Sequence, residues 1–301
     1  MTQKYLLSEQ TALSDLNAKL VRDCTFEATV LLKKSKEENV SYITYLTDSN
    51  YADALLTGGY VGVVCTPELL SDVREQFDGG IIVSEDPRST FFEIHNNIYG
   101  RRTLPESIID DTAIIADDAV IAKRGVSIAA GAVVGSGAIV SEGVSIGAYS
   151  EIMENCMVGM PAFYYYGEGD DRKRVCAGNG VNIGSRVTIH AGSVVQAGVF
   201  RPTVISDNVK ISNRVHVSHD VLIERNCLIP AGVTIGGIVT LEENCTLGVG
   251  VTIAPGIKVG HDAKLSSGAV VTKDVPPDIR YSGNFAIEHS KYVAHIKNIS
   301  S

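Results

Sequence analysis

A repeat of six residues constrains the fold of this chain more than any other feature. Aliphatic side chains recur at every sixth position through residues 205–271, and shorter series with the same step cover 128–158 and 183–195. This step matches neither the 3.6-residue period of a helix nor the alternation of an ordinary strand. It predicts a left-handed parallel β-helix, in which three hexads close one triangular coil and the aliphatic residues point inward.

The rest of the chain has a different texture. Residues 1–100 alternate apolar stretches with helical patterns, which is typical of an α/β domain. Breaks in the repeat at 159–182 and 196–204 predict loops that leave the coil, where functional residues commonly lie. We therefore predict three parts: an α/β domain over 1–104, the β-helix over 105–274, and an extension with a short C-terminal helix over 275–301.

Composition narrows the classes of function. The formal charge of −9 argues against binding to a nucleic-acid backbone, which requires a basic face. Six cysteines are scattered without metal-binding or disulfide-framework spacing, and no apolar run is long enough to predict a signal peptide or membrane span. These features predict a cytoplasmic protein with no nucleic-acid partner and no structural zinc.

Two histidines in the stretch NRVHVSHDV, residues 213–221, raise the question of chemistry. Val217 is in phase with the inward positions, so His219, two residues further on, is predicted to point outward near a corner of the coil. Gly237 follows His219 by 18 residues, which is one complete coil. The repeat therefore predicts that Gly237 lies directly beside His219.

Several quoted stretches together resemble a known family. NRVHVSHDVLIERNCLIPAGVTIGG resembles the catalytic stretch of the lipid A pathway UDP-3-O-acylglucosamine N-acyltransferases and related nucleotide-sugar N-acyltransferases. GMPAFYYY is similar to their glycine- and aromatic-rich loop, and SYITYLTDSNY to the segment that stacks on the nucleotide base. The order of α/β domain, hexapeptide β-helix and helical tail is also the same.

The resemblance implies roles for three residues of the coil. His219 would be the general base that removes a proton from the sugar amine, a task suited to an imidazole near neutral pH. The backbone N–H of Gly237 would stabilise the oxyanion, because a glycine allows the thioester to approach closely. Asp220, which follows the histidine, would help to polarise it.

The resemblance also implies binding roles. Tyr45 and Tyr51 match the two aromatic positions that stack on the base, although either could instead fill the core of its domain. His216 is either a substrate contact or a surface histidine. The remaining predicted substrate-binding residues lie in the same quoted stretches and are Phe163, Tyr164, Tyr165 and Asn213; the three aromatic residues could equally pack against another subunit.

Departures from the family shape the predicted reaction. Ser212 replaces an aspartate and Gly256 a histidine of the lipid A enzymes, and the tail ends at Ser301, earlier than their docking extension. We therefore predict transfer of an acetyl or short 3-hydroxyacyl group, such as 3-hydroxybutyryl, from acyl-CoA to a UDP- or dTDP-linked amino sugar in surface-polysaccharide or lipopolysaccharide synthesis. The alternative is the lipid A reaction with a 3-hydroxyacyl-acyl carrier protein.

Other classes stay open. A β-helix scaffold or nucleotide-sugar sensor without chemistry would keep the same repeat, and so would an O-acyltransferase. A zinc site is a weaker interpretation, because the two histidines flank an inward valine and no third ligand is identifiable. The resemblance further implies a homotrimer with active sites between subunits and no bound cofactor or metal, the acyl thioester being a co-substrate.

Overall fold

The computed structural model describes residues 3–12, 18–32, 39–283 and 288–300. It divides into two compact units. One comprises residues up to 106 together with 161–180 and 197–202, and the other comprises 107–160, 181–196 and the residues from 203 onward. The second unit is a left-handed parallel β-helix, so the predicted fold class is confirmed.

The first unit is an α/β structure around a five-stranded sheet. The sheet has three parallel pairings and one antiparallel pairing at an edge, in the order Lys19–Arg22, Gly80–Val83, Gly62–Cys65, Tyr42–Leu46 and Ala28–Thr29. Its helices are Leu7–Ala12, Ala52–Thr57, Leu70–Gln76 and Pro87–Gly100. Short antiparallel pairs join Tyr5–Leu6 to Thr25–Phe26 and Tyr165–Tyr166 to Lys173–Arg174. Apolar β-branched residues in the central strands are buried on both faces, as a covered parallel sheet requires.

The second unit winds around three flat faces, which we number in the order the chain visits them. Face 1 contains Ile108–Ile109, Ser127–Ile128, Val144–Ile146, Val181–Ile183, Thr203–Ile205, Leu222–Ile223, Thr240–Leu241 and Lys258–Val259. Face 2 contains Ile114–Ile115, Val133–Val134, Glu151–Ile152, Thr188–Ile189, Lys210–Ile211, Leu228–Ile229, Lys264–Leu265 and Arg280–Tyr281. Face 3 contains Val120–Ile121, Ile139–Val140, Met157–Met160, Val194–Gln196, His216–Val217, Thr234–Ile235, Thr252–Ile253 and Val270–Val271.

The in-phase aliphatic residues form one continuous core. Val217, Ile223 and Ile235 are fully buried, and the smaller residues two positions earlier, such as Val215 and Val221, fill the space between them. Each such side chain contributes about 1.5–3 kcal/mol on burial. This column therefore dominates the stability of the coil and fixes its register, as the sequence predicted.

The corners follow a simple backbone rule. In most turns the second residue has a positive φ, usually as Gly, Asn or Asp, and donates its N–H to a carbonyl of the previous coil. The backbone N–H of the first turn residue makes no hydrogen bond to a carbonyl of the previous coil, so a proline is tolerated at that position. Pro277 occupies such a position, and the parallel ladder continues beyond it to Arg280–Tyr281, past residue 274 where we expected the coil to end.

The chain closes with the helix His289–Ser300, in agreement with the predicted short C-terminal helix. Among the helices of the described ranges, none has the length and apolar character needed to cross a bilayer. All six cysteines are free thiols.

Candidate active site

His219 lies at the corner where face 3 turns into face 1. It is the first residue of the turn that follows His216–Val217, and Asp220 is the second, with φ of 58°. Val217 packs in the core column, whereas the His219 ring contacts Asp220 and lies beside Gly237 of the next coil. His219 is nevertheless buried, with 7% of its surface exposed.

Asp220 orients the ring. Its Oδ2 lies 2.6 Å from Nδ1 of His219, and only 1% of the residue is exposed. A carboxylate can only accept a hydrogen bond, so Nδ1 carries the proton and donates it. In the neutral ring this leaves Nε2 as the basic nitrogen. The side chains of adjacent residues do not usually face one another. Here they do, at a turn where Asp220 has a left-handed backbone conformation.

Gly237 lies beside the basic nitrogen, one coil further along. A Cβ added to this glycine would lie only 2.6 Å from Nε2 of His219 and 2.8 Å from Cε1. Real Cβ contacts of that length essentially never occur, so the glycine is required for this close approach. The neighbouring Ile238 N–H donates to the carbonyl of His219 at 2.9 Å and holds the two turns in register.

The backbone N–H of Gly237 is available for a ligand. Gly237 is the first residue of its turn, so its N–H does not bond to a carbonyl of the previous coil. This N–H has no hydrogen-bond acceptor among the described residues. At the equivalent positions Glu243 and His261, this N–H donates instead to an acidic side chain 19 residues earlier. The residue 19 positions before Gly237 is Ser218, and its hydroxyl is directed to Gln196.

Gln196 and Ser218 form a polar pair at the same corner that the sequence analysis missed. The Ser218 hydroxyl donates to Oε1 of Gln196 at 2.9 Å, and Gln196 is buried. The pair is 22 residues apart because a loop lies between the two coils, so the 18-residue step that linked His219 to Gly237 did not find it. Adding the loop length to the step would have found it.

His216 and Asn213 take different places. His216 is the outward residue of its strand on face 3, between Val194 and Thr234 in the ladder, and burial lowers the pKa of its imidazole. Burial therefore favours the neutral form of this imidazole. Asn213 is exposed in the turn at the opposite end of face 3, so this chain does not bring it to the His219 corner.

The histidine pair forms no metal cluster. Among the described residues, the one group of three possible metal ligands within 4.8 Å consists of His261, Asp262 and Asp278, all exposed. It includes neither His216 nor His219.

Tyr45 and Tyr51 line one cavity of the first unit. Its volume is about 260 Å³, and Leu31, Leu32 and Thr47 contribute to its wall. The Tyr45 ring also packs on Phe91 with centroids 5.1 Å apart, whereas 45% of Tyr51 is exposed. The structure thus brings the two tyrosines together, and stacking on a base stays a prediction.

The three aromatic residues of the first interruption are not equivalent. Phe163 is 82% exposed and lies against Tyr165 with ring centroids 5.2 Å apart. Tyr164 instead packs against Phe92 and Phe200 inside the first unit. Their contact with a sugar or another subunit stays a prediction, for which Phe163 and Tyr165 offer the exposed surface.

Sequence comparison identifies the repeat. The bacterial transferase hexapeptide family (six repeats) matches residues 202–237, and the hexapeptide repeat of succinyl-transferase matches 238–273. Two consecutive hexapeptide-repeat models therefore match residues 202–273 of the coil. The first match ends at Gly237, so His219 and Gly237 both lie inside the first matched segment.

Curated proteins similar to this chain include acyltransferases. A UDP-3-O-acylglucosamine N-acyltransferase of Methylobacterium nodulans (strain LMG 21967 / CNCM I-2342 / ORS 2060) is 31% identical over 97 residues, which are 32% of this chain and 28% of the relative. One of the same name from Bordetella parapertussis (strain 12822 / ATCC BAA-587 / NCTC 13253) is 28% identical over 114 residues, covering 38% and 31% of the two chains. The chain thus matches these relatives over less than a third of their length.

Solved structures of nucleotide-sugar acyltransferases are among the structures similar to this chain. A UDP-N-acetylglucosamine acyltransferase of Francisella novicida has a TM-score of 0.39 and 24% identity over 58% of this chain and 67% of that one. A mutant GDP-perosamine N-acetyltransferase of Caulobacter crescentus, in complex with CoA and GDP-perosamine, has a TM-score of 0.22 and 14% identity over 83% and 96%.

Proposed function

We propose that this protein is an N-acyltransferase that moves an acyl group from a thioester to the amine of a nucleotide-linked amino sugar. The observation that carries the proposal is the His219 corner. A buried imidazole has its Nδ1 held by Asp220 at 2.6 Å, and its basic Nε2 lies against a glycine whose N–H has no acceptor among the described residues.

The chemistry follows from these groups. The amine nitrogen attacks the thioester carbonyl carbon, and Nε2 of His219 takes a proton from that nitrogen. The carbonyl oxygen gains the electron pair and accepts a hydrogen bond from the Gly237 N–H. When the C–N bond is complete, the pair returns, the C–S bond breaks, and the imidazolium protonates the departing thiolate. Asp220 stabilises the imidazolium between the two proton transfers.

Nucleotide recognition is proposed for the first unit. The cavity of Tyr45 and Tyr51 offers flat aromatic surface to a base, and such stacking contributes about 1–3 kcal/mol per base. His216, whose neutral form is favoured by burial, can accept or donate a hydrogen bond to the sugar. Residues 1–104 would thus select the nucleotide and 105–274 perform the transfer, in the cytoplasm.

The proposal also concerns the identity of the acyl group and of its donor. We expected an acetyl or short 3-hydroxyacyl group from acyl-CoA. The curated relatives carry the name UDP-3-O-acylglucosamine N-acyltransferase, which favours our alternative, the lipid A type of reaction with an acyl-acyl carrier protein. We therefore propose a UDP-linked glucosamine derivative as the first acceptor to test, with both classes of donor.

Assembly as a homotrimer is also proposed. The outward residues of the face 3 strands include no Asp, Glu, Lys or Arg and are Val120, Ile139, Met157, Val194, His216, Thr234, Thr252 and Val270. Face 2 presents Glu151, Lys210 and Lys264 at the same positions. Depletion of charge is typical of the core of an interface, so face 3 is suited to pack on another copy.

Paired histidine variants test the function. His219→Ala should lower kcat by about 10³-fold or more in a thiol-release assay while binding of the nucleotide sugar persists. His261→Ala is the matched control, because His261 and Asp262 form the same pair in the same type of turn, 3.0 Å apart but exposed. A scaffold would show no turnover with any donor and acceptor, and equal loss in both variants would contradict the assignment of His219.

A further inference from the structure

Ile238 has a backbone conformation that its side chain disfavours. Its φ is +65°, in the left-handed region. At the corresponding turn positions the described residues with positive φ are otherwise mostly Gly, Asn or Asp, with Tyr149, Arg186 and Arg214 as exceptions. Ile238 is the only β-branched residue among them, and β-branched side chains are genuine outliers in this region.

The position of this strained residue is the active-site corner. Ile238 follows Gly237 directly, and its N–H donates to the carbonyl of His219. In the next coil Gly256, which has no side chain, occupies the equivalent position and donates its N–H to the Gly237 carbonyl at 2.8 Å. At the second turn position of this edge, Ile238 thus lies between Asp220 and a glycine.

Packing in the core does not explain the isoleucine. Ile238 is partly exposed and is not among the apolar residues that pack on the column, whereas Ala254 of the next coil is. An asparagine in this position would be compatible with the backbone, as Asn226 and Asn244 are in theirs. Backbone strain that folding does not require commonly marks a site where the side chain contacts a ligand.

We propose that Ile238 is a specificity-determining residue that contacts the acyl chain of the thioester donor. This inference rests on the proposed function. If the Gly237 N–H holds the carbonyl oxygen, the acyl carbons begin next to the residue that follows Gly237. An aliphatic side chain there favours donors whose chain extends beyond the acetyl methyl group, because each added methylene then gains apolar contact.

The test combines stability with donor selectivity. Ile238→Asn should raise the Tm, by an amount on the order of 2 °C, since it removes the strain. The same variant should lower kcat/KM for a 3-hydroxyacyl donor about 10-fold relative to acetyl-CoA. Arg214→Ile is the matched control: Arg214 has φ of 54° at the other end of face 3, so this variant should lower the Tm and leave the selectivity unchanged.

Outcomes separate this inference from the proposed function. Titration calorimetry of acetyl-CoA and a longer acyl-CoA with the His219→Ala protein, with and without Ile238→Asn, measures donor preference without turnover. A changed affinity ratio supports the inference even if no amino sugar is acylated, in which case the proposed function fails alone. An unchanged ratio in both kinetics and binding, or a lower Tm for Ile238→Asn, overturns the inference.

Discussion

Replacing Gly237 with alanine perturbs the proposed active site by a single carbon atom. The new Cβ would lie 2.6 Å from Nε2 of His219, and ordinary van der Waals contact begins at 3.4 Å, so the ring or the turn must move by about 0.8 Å. The ring has little freedom to move, because Asp220 holds its other nitrogen at 2.6 Å. Gly237 has no positive φ, so the alanine adds no backbone strain of its own.

The expected loss of activity follows from that displacement. A misplacement of about 1 Å at a reacting group costs about 10²-fold in rate. We therefore expect kcat/KM of the Gly237→Ala protein to fall about 10²-fold, which corresponds to about 2.7 kcal/mol of transition-state stabilisation. The free energy of unfolding should change much less, because the core column beneath the turn is untouched.

Thiol release at saturating nucleotide sugar measures the loss, and urea unfolding measures stability. Gly283→Ala is a control, since its Cβ would meet no atom within 4 Å. Combining Gly237→Ala with His219→Ala removes the ring that the methyl group strikes, so the double variant should be no less active than His219→Ala alone. If Gly237→Ala keeps more than a third of wild-type kcat/KM, the proximity of this glycine to the base has no catalytic role.

Further predictions concern the core, the orienting carboxylate and pH. Ile223→Ala should lower the free energy of unfolding by about 2–5 kcal/mol by urea titration because Ile223 is fully buried, whereas the outward Leu222→Ala should cost clearly less. Asp220→Asn should lower kcat by at least 10-fold with little effect on KM for the sugar, because an amide no longer stabilises the imidazolium. Burial lowers the pKa of His216, so its contribution to stability is present above pH ~6.5 and is lost as pH falls through the lowered value. Asp262 raises the pKa of His261, so that contribution is present below pH ~6.5 and lost as pH rises; thermal unfolding against pH should therefore change in opposite directions for His216→Gln and His261→Ala.

The sequence predicted those parts of the site that the six-residue step determines. A residue in phase with the column points inward, so the position of Val217 fixed the outward side of His219, and one coil of 18 residues fixed its neighbour as Gly237. The contact between His219 and Asp220 depends instead on the left-handed turn. Its signal was available in the sequence, since His261 and Asp262 repeat the same dipeptide at the same turn positions.

The six-residue repeat did not predict contacts between coils that are separated by an inserted loop. The loop between Val195 and Ile205 lengthens one coil, so Gln196 meets Ser218 at a spacing that the hexad does not predict. The strain at Ile238 was equally hidden, because a hexad specifies which residues face inward and not which turn residue has a positive φ. Departures from the regular repeat therefore coincide with the corner where we propose chemistry.

The two His–Asp pairs show how the proposed catalytic site differs from an ordinary turn of the coil. Both have a carboxylate on Nδ1, at 2.6 Å for His219 and 3.0 Å for His261, so the local backbone alone produces the pair. The neighbouring coils differ. His219 is enclosed and lies against Gly237, whereas His261 is exposed and donates its own N–H to Glu242. A hydrogen bond in an enclosed site is stronger than one in water. We infer that the turn creates such a pair at both corners. Burial beside a glycine N–H that has no acceptor among the described residues makes the pair at His219 the one suited to the proposed acyl transfer.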